Sequence, residues 1–215
     1  MTQQKLAPPQ ATRSPLLTRN GLTCSASPLA ASTGARILAE GGTAFDAAVA
    51  VAAVEAVCLG PMCGLGGEVF ALLWDASERK LYGLTGSGRS PQKATRELYQ
   101  SQGYEEMPLE GPLSASIPGE VDAWATILER FGTWPLAKLL EPAIGYAQRG
   151  FPVPPVMASY YPSQTSKLAR FPTSRAVLTR DGAPYRAGDI LHQSNLAKTL
   201  GRVASGGRDE FYRGE

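Results

Sequence analysis

The residue types that enzymes use for chemistry are sparse in this sequence. Its 215 residues contain one histidine, His192, in a loop-like stretch before Gln193. A Ser-His-Asp triad would have to use this histidine, but the Gly-x-Ser-x-Gly turn that presents a serine nucleophile does not occur. We therefore predict that His192 is a surface or structural residue.

The cysteines and glycines raise two further possibilities, a cysteine nucleophile and a nucleotide-binding turn. Cys63 precedes the run Gly64-Leu65-Gly66-Gly67, but the sequence supplies no partner base, so a small core cysteine is the better interpretation. The glycine run lacks the third glycine of a dinucleotide-binding turn and lies before a strand, and no Gly-Lys-Ser/Thr follows as in a P-loop. One histidine and three dispersed cysteines give no zinc pattern. The sequence predicts neither a cofactor nor a metal.

Thr2 would become the N-terminal residue if Met1 were removed, and an N-terminal threonine can act as a nucleophile. It lies on a polar, proline-containing stretch that would not hold it in a site. We predict no catalytic residue in this chain.

Composition narrows the possible partners. There are 21 basic and 19 acidic residues without a basic block, which argues against nucleic acid. The apolar stretch 44–59 is short and contains Asp46 and Glu55, which favours a buried helix over a membrane span. The first 20 residues have no apolar segment typical of a secretory signal. We expect a cytoplasmic protein, or a periplasmic or secreted one if the N-terminus was trimmed.

The elements that must position any site are mostly helical. Gly41-Gly42 can end one helix, and Thr43 with Asp46 forms a capping-box pattern that starts the next. Periodicity and breakers predict helices at 28–40, 44–58, 94–102, 118–131, 135–149, 156–168 and 195–205. They predict strands at 69–74 and 81–84, a short strand candidate at 113–117, and loop and turns over 170–195.

The predicted hairpin is too small to stand alone. Its first strand, 69–74, is apolar on both faces, as in a strand that is covered on both sides. Because a two-stranded hairpin needs further strands beside it, we expect this chain to lend strands to a larger sheet that other sequence completes.

Several motifs recur in an order that resembles the gamma-glutamyltransferase family. The match covers about residues 21–215 and includes Gly41-Gly42-Thr43-Ala44-Phe45-Asp46-Ala47-Ala48, Gly64-Leu65-Gly66-Gly67, Ile117-Pro118-Gly119, Phe131-Gly132-Thr133, Gly150-Phe151-Pro152-Val153 and Phe211-Tyr212-Arg213-Gly214-Glu215. Their order and spacing, more than any single piece, support the resemblance.

The resemblance implies an α+β fold, the N-terminal-nucleophile hydrolase αββα sandwich, with this chain as a helix-rich, incomplete part of the large subunit. Residues 1–20 would be a flexible arm and 21–215 the large-subunit part. The nucleophile, an N-terminal threonine or serine, would belong to a small chain cut from the same precursor, and the heterodimer could assemble further as a homo-oligomer. The substrate would be a small-molecule amide, cleaved through an acyl-enzyme by water or an amine. The alternatives are an oxamate amidohydrolase or cephalosporin-acylase-like amidase, and a non-catalytic scaffold relative.

The resemblance also implies one substrate-binding position. Transferase members hold a substrate carboxylate with the arginine of Arg-Glu-x-Ala-Pro, and anchoring on Pro91 places Ser87 at that position. Arg89 lies two residues later, and in an extended segment positions 87 and 89 share a face, about 7 Å apart. Arg89 could therefore bind the carboxylate bidentately, or it could be a surface loop arginine. The form Gly-x-Gly-Arg-x-Pro resembles the acylase and oxamate-amidohydrolase branch.

Overall fold

The computed structural model describes residues 14–214. Eight helices occur in this part of the chain: α1 Pro28–Ala39, α2 Ala44–Cys58, α3 Arg96–Ser101, α4 Glu120–Phe131, α5 Leu136–Arg149, α6 Pro155–Leu168, α7 Pro172–Leu178 and α8 Ser194–Arg213. The strands are β1 Val69–Asp75, β2 Lys80–Gly86, β3 Phe151–Pro152 and β4 Ile190–Leu191. Residues 14–20 form neither helix nor strand, and the rest of the predicted arm, with Thr2, lies outside the described residues.

The start of α2 follows the capping pattern that the sequence predicts. Gly41 has a φ of 92°, and Thr43 and Asp46 form a complete capping box. The buried Asp46 carboxylate also accepts hydrogen bonds from the Thr133 backbone N–H, the Thr133 hydroxyl and the Trp134 N–H, at 3.0, 2.7 and 3.2 Å. Burial raises the pKa of Asp46, but the hydrogen bonds from Thr43 and Thr133 outweigh it and hold the pKa below its ordinary value. One side chain thus caps α2 and fastens it to the segment before α5.

The core is built around α2, which contacts α1 on one side and α5 on the other. Alanines at positions 47, 50 and 53 are buried and allow these helices to approach closely. Helix α8 packs on α5, and α4 contacts α2, α8 and β2. None of the helices between residues 14 and 214 is both long and apolar enough to cross a membrane.

The predicted hairpin forms, with β1 antiparallel to β2 and Val69 opposite Gly86. Leu73 turns inward and is buried, whereas Phe70, Leu72 and Trp74 alternate onto the opposite face and are exposed. Both faces of β1 are apolar, but within the described residues only one is covered. The sheets described here have two strands each, β1 with β2 and β3 with β4.

Three predictions from the sequence are wrong in detail. Residues 113–117 do not form a strand, because Pro112–Ser114 makes a 3₁₀ turn. The segment 170–195 contains α7, started by Pro172, and β4, which pairs with β3. Helix α8 does not end at Gly206-Gly207, since it resumes after a non-helical Gly207 and continues to Arg213.

Candidate functional site

A cavity of about 380 Å³ lies at the end of the hairpin, and both sequence-predicted binding residues line it. Ser87 and Arg89 are exposed and follow β2 directly. The opposite wall is the segment 117–119 that leads into α4. Both residues therefore lie at the same cavity, and their role in binding stays a prediction.

Glycines set how closely the two walls approach. A Cβ atom on Gly88 would overlap the carbonyl of Ile117, and one on Gly119 would overlap the carbonyl of Gly86. The Ile117 N–H donates to the Arg89 carbonyl at 3.0 Å. The Gly-x-Gly-Arg loop and the Pro-Gly segment therefore run side by side, and their backbone contacts fix the point from which the Arg89 side chain extends.

The third wall comes from the end of α8, where Tyr212 lies 94 residues after Pro118 in the sequence. Gly207 has a φ of 69°, and the chain changes direction there before Arg208 and Tyr212 reach the cavity. The Tyr212 hydroxyl donates to the Pro118 carbonyl at 2.8 Å and accepts from the Asp122 N–H at 3.2 Å. Tyr212 thereby fixes the position of the end of α8 against the start of α4.

The charges around the cavity are unequal. Arg208 pairs with Asp122, and Arg213 lies 3.4 Å from Asp209. Arg89 forms no ion pair and its side chain makes no hydrogen bond within residues 14–214. Three guanidinium groups thus face two carboxylates, and the uncompensated positive charge is that of Arg89. Such a site suits a single carboxylate, which a guanidinium can bind through two parallel hydrogen bonds.

The glycine turn before β1 is hydrogen-bonded to the start of α4, next to the cavity wall at 117–119. The Gly67 carbonyl accepts hydrogen bonds from the Gly119 and Glu120 N–H groups, at 3.0 and 3.2 Å. None of the glycines 64, 66 and 67 has a positive φ. Close approach requires glycine only at Gly67, where a Cβ would lie 2.9 Å from the Gly64 carbonyl oxygen; at Gly64 and Gly66 a Cβ would meet nothing within 4 Å.

Glu120 is a notable residue that the sequence reasoning did not single out. Its side chain is buried, and burial, together with the charge of Glu55, raises its pKa to about 7. The available signal was its position, an acid directly after the Pro-Gly pair at the start of a helix.

The remaining candidate nucleophiles and bases lie elsewhere. His192 is exposed, with Nδ1 3.4 Å from the Gln148 carbonyl oxygen. Burial, Glu55 and Glu120 raise the pKa of Cys63, so its thiol stays protonated and unreactive at neutral pH. Within the described part of the chain, neither Thr85 nor Ser87 in the cavity is hydrogen-bonded to a base. The cavity therefore contains an uncompensated guanidinium, but its hydroxyl residues do not form a nucleophile–base pair.

The sequence is similar to known proteins of one family. The family model described as gamma-glutamyltranspeptidase matches residues 30–215. The chain is 41% identical over 188 residues to the glutathione hydrolase-like YwrD proenzyme of Bacillus subtilis, covering 87% of this chain and 35% of the relative. It is 35% identical over 204 residues to the acylase ACY 1 proenzyme of Pseudomonas sp. (strain SE83), covering 91% of this chain and 36% of the relative.

Solved structures show the same likeness. Gamma-glutamyltranspeptidase of Helicobacter pylori superposes with a TM-score of 0.89 at 30% identity, covering 94% of this chain and 59% of that one. Cephalosporin acylase of Bacillus halodurans gives 0.84 at 33% identity, covering 97% of this chain and 41% of that one. The chain spans about a third of the length of the curated relatives named above.

Proposed function

Because this chain belongs to the gamma-glutamyltranspeptidase family, we propose that it is the front portion of the large chain of an N-terminal-nucleophile enzyme that cleaves amide bonds. The relatives are named glutathione hydrolase-like, acylase and gamma-glutamyltranspeptidase, and several are named proenzymes. Those names support a precursor that is cut into two chains. The small chain would carry the nucleophile.

The reaction begins at the threonine or serine that becomes the N-terminus of that small chain. Its α-amine accepts the hydroxyl proton as the oxygen attacks the substrate carbonyl, and backbone N–H groups stabilise the oxyanion. The C–N bond breaks, the leaving amine takes the proton, and an ester links the acyl group to the enzyme. Water or a second amine then attacks the ester and restores the hydroxyl.

The contribution of this chain is to hold the acyl donor. Arg89 carries the uncompensated positive charge of the cavity, and this observation supports binding of a carboxylate on the acyl group. Ser87 lies in the same lining and can donate a hydrogen bond to that group. The glycine contacts at Gly88 and Gly119 keep both residues in place.

Two substrate classes fit such a cavity, a γ-glutamyl compound and a shorter acyl amide. The second is favoured by the loop form Gly86-Ser87-Gly88-Arg89-Ser90-Pro91, in which arginine stands two positions beyond the place it takes in the transferases that this sequence resembles. The likeness to proteins named acylase points the same way. We propose an acidic acyl amide of the oxamate or cephalosporin-side-chain type as the alternative to glutathione.

Replacing Arg89 with alanine tests the binding role. We expect Arg89→Ala in the full-length protein to raise KM for acidic acyl donors about tenfold or more, because a charged hydrogen bond contributes about 1.5–3 kcal/mol. For an uncharged acyl donor, KM should rise far less. Steady-state kinetics with glutathione, oxamate and a neutral amide measure KM for both kinds of donor.

Arg96→Ala is the matched control, since Arg96 is an exposed arginine on α3 outside this cavity. Unchanged kinetics of Arg89→Ala would show that Arg89 does not bind the acyl donor. A full-length protein that is never cut and cleaves no amide would instead support the non-catalytic scaffold.

A further inference from the structure

A second cavity, of about 270 Å³, lies behind the glycine turn and contains chemistry that the proposed reaction does not use. It is enclosed by α2, the turn at 62–67, the start of β1 and the start of α4. Three carboxylates line it, those of Glu55, Glu68 and Glu120. Phe70 provides an apolar wall beside them.

The three carboxylates differ in how they are satisfied. The Ser25 hydroxyl donates to Glu55 at 2.5 Å, and the Ser116 hydroxyl donates to Glu68 at 3.0 Å. Glu120 is only 6% exposed, within residues 14–214 no donor is hydrogen-bonded to its carboxylate, and its carboxylate oxygens are not fully buried but open to the cavity. A buried carboxylate without a partner is costly, so such groups are normally paired in a complete structure.

The surroundings of Glu120 have one sign of charge. Its titratable neighbours are Glu55 on α2, Cys63 in the turn and Tyr212 on α8, together with Glu68 across the cavity. In the described part of the chain no lysine or arginine forms an ion pair with any of the three glutamates. No group of three or more His, Cys, Asp or Glu side chains there is arranged to hold a metal ion. A cationic nitrogen is the group that would complement this charge.

We propose that this cavity binds a cationic nitrogen, a primary ammonium or a guanidinium, on the carboxylate of Glu120 with Glu55 beside it. The cation has two chemical sources: a lysine or arginine side chain from the part of the protein outside this chain, or a free amine. The apolar wall at Phe70 suits the methylene groups that carry such a nitrogen in either case.

The pH dependence of stability distinguishes a filled cavity from an empty one. In an empty cavity burial raises the pKa of Glu120 from 4.5 to about 7. The folded state then keeps a proton that the unfolded state releases, so stability is lost as pH rises from 4.5 to 7. With a cation in place the pKa of Glu120 falls below 4.5, so the carboxylate is ionised and the contact stabilises the fold at every pH above that value. The two cases give Glu120→Gln opposite effects.

The test compares the melting temperature of the full-length wild-type protein with that of two variants between about pH 3 and pH 8. With a side-chain cation, Glu120→Gln lowers Tm by about 3 °C or more from pH 8 down to pH 5, and the loss shrinks below pH 4.5, where the paired carboxylate becomes protonated. The control Glu68→Gln removes an exposed carboxylate of the same cavity and changes Tm by about 1 °C or less.

Added methylguanidinium or methylamine then separates the sources. If a side chain fills the cavity, the salts act equally on wild type and Glu120→Gln. If the ligand is a free amine, Glu120→Gln is the more stable protein near pH 8 until the salt is added, and the salt raises Tm of the wild type alone.

The proposal is overturned if Glu120→Gln is as stable as wild type or more stable near pH 8 and neither salt favours the wild type. A loss of Tm that does not vary with pH would overturn it as well. These readouts do not involve activity, so they leave the proposed reaction untouched.

Discussion

At the scale of single residues, the site depends on glycines that bring two backbones together. The loop with Arg89 and the segment 117–119 approach so closely that a methyl group on Gly88 or Gly119 would overlap the opposite carbonyl. A guanidinium attached to such a rigid backbone loses less freedom when it binds, which favours carboxylate recognition.

Gly88→Ala is expected to disturb this arrangement, because the new Cβ would overlap the backbone of Ile117 and force the walls apart. In the full-length protein we expect KM for acidic acyl donors to rise about tenfold and Tm to fall by several degrees, since overpacking costs about 1–3 kcal/mol. Gly201→Ala is the matched control, because Gly201 lies on α8 outside the hairpin and a Cβ there meets nothing within 4 Å. Wild-type kinetics for Gly88→Ala would show that close backbone contact is not needed.

At the scale of elements, the sequence predicts helices that have local start and stop signals, but it does not predict pairing between residues far apart in the chain. The helices α1 and α2 were predicted within one residue because Ser27, Gly41 and the Thr43–Asp46 box are local signals. The pairing of β3 with β4 joins residues about forty apart and has no local pattern, so 170–195 was predicted as loop and turns.

The candidate site shows the same division. Ser87 and Arg89 could be proposed from the sequence, because the resemblance supplied an anchor at Pro91. Arg208 and Tyr212 could not, since a change of direction at Gly207 brings them to the cavity. The burial of Glu120 depends on contacts with α2 and the glycine turn, which no spacing in the sequence encodes.

The hairpin gives a prediction at this scale. Its outer face presents Phe70, Leu72 and Trp74, and we propose that the rest of the protein covers it as the second sheet of the sandwich. Leu72→Glu would then bury an unpaired charge, which costs several kcal/mol. We expect the full-length variant to fold poorly or to remain uncut, as judged by soluble yield and gel mobility.

Leu109→Glu is the control for Leu72→Glu. Leu109 is 93% exposed and Leu72 79%, yet Leu109 lies outside the hairpin. If both variants behave like wild type, the outer face of the hairpin is open to solvent in the complete protein.

At the scale of the whole molecule, we propose that this chain forms part of the substrate-binding wall and that the reaction takes place on another segment. The described residues form a helical core, a hairpin with one uncovered face and a cavity that is lined by Arg89 and has no nucleophile–base pair. The relatives are about two and a half times as long as this chain, and both are named proenzymes. We therefore propose that the reactive hydroxyl lies beyond this region and becomes an N-terminal residue when the precursor is cut.

Intact-mass spectrometry of the purified full-length protein tests that proposal most directly. We predict two chains, with the sequence studied here in the larger one and threonine or serine at the N-terminus of the smaller. Replacing that residue with alanine should leave a single chain that cleaves no amide. A single uncut chain with full amidase activity would contradict the account.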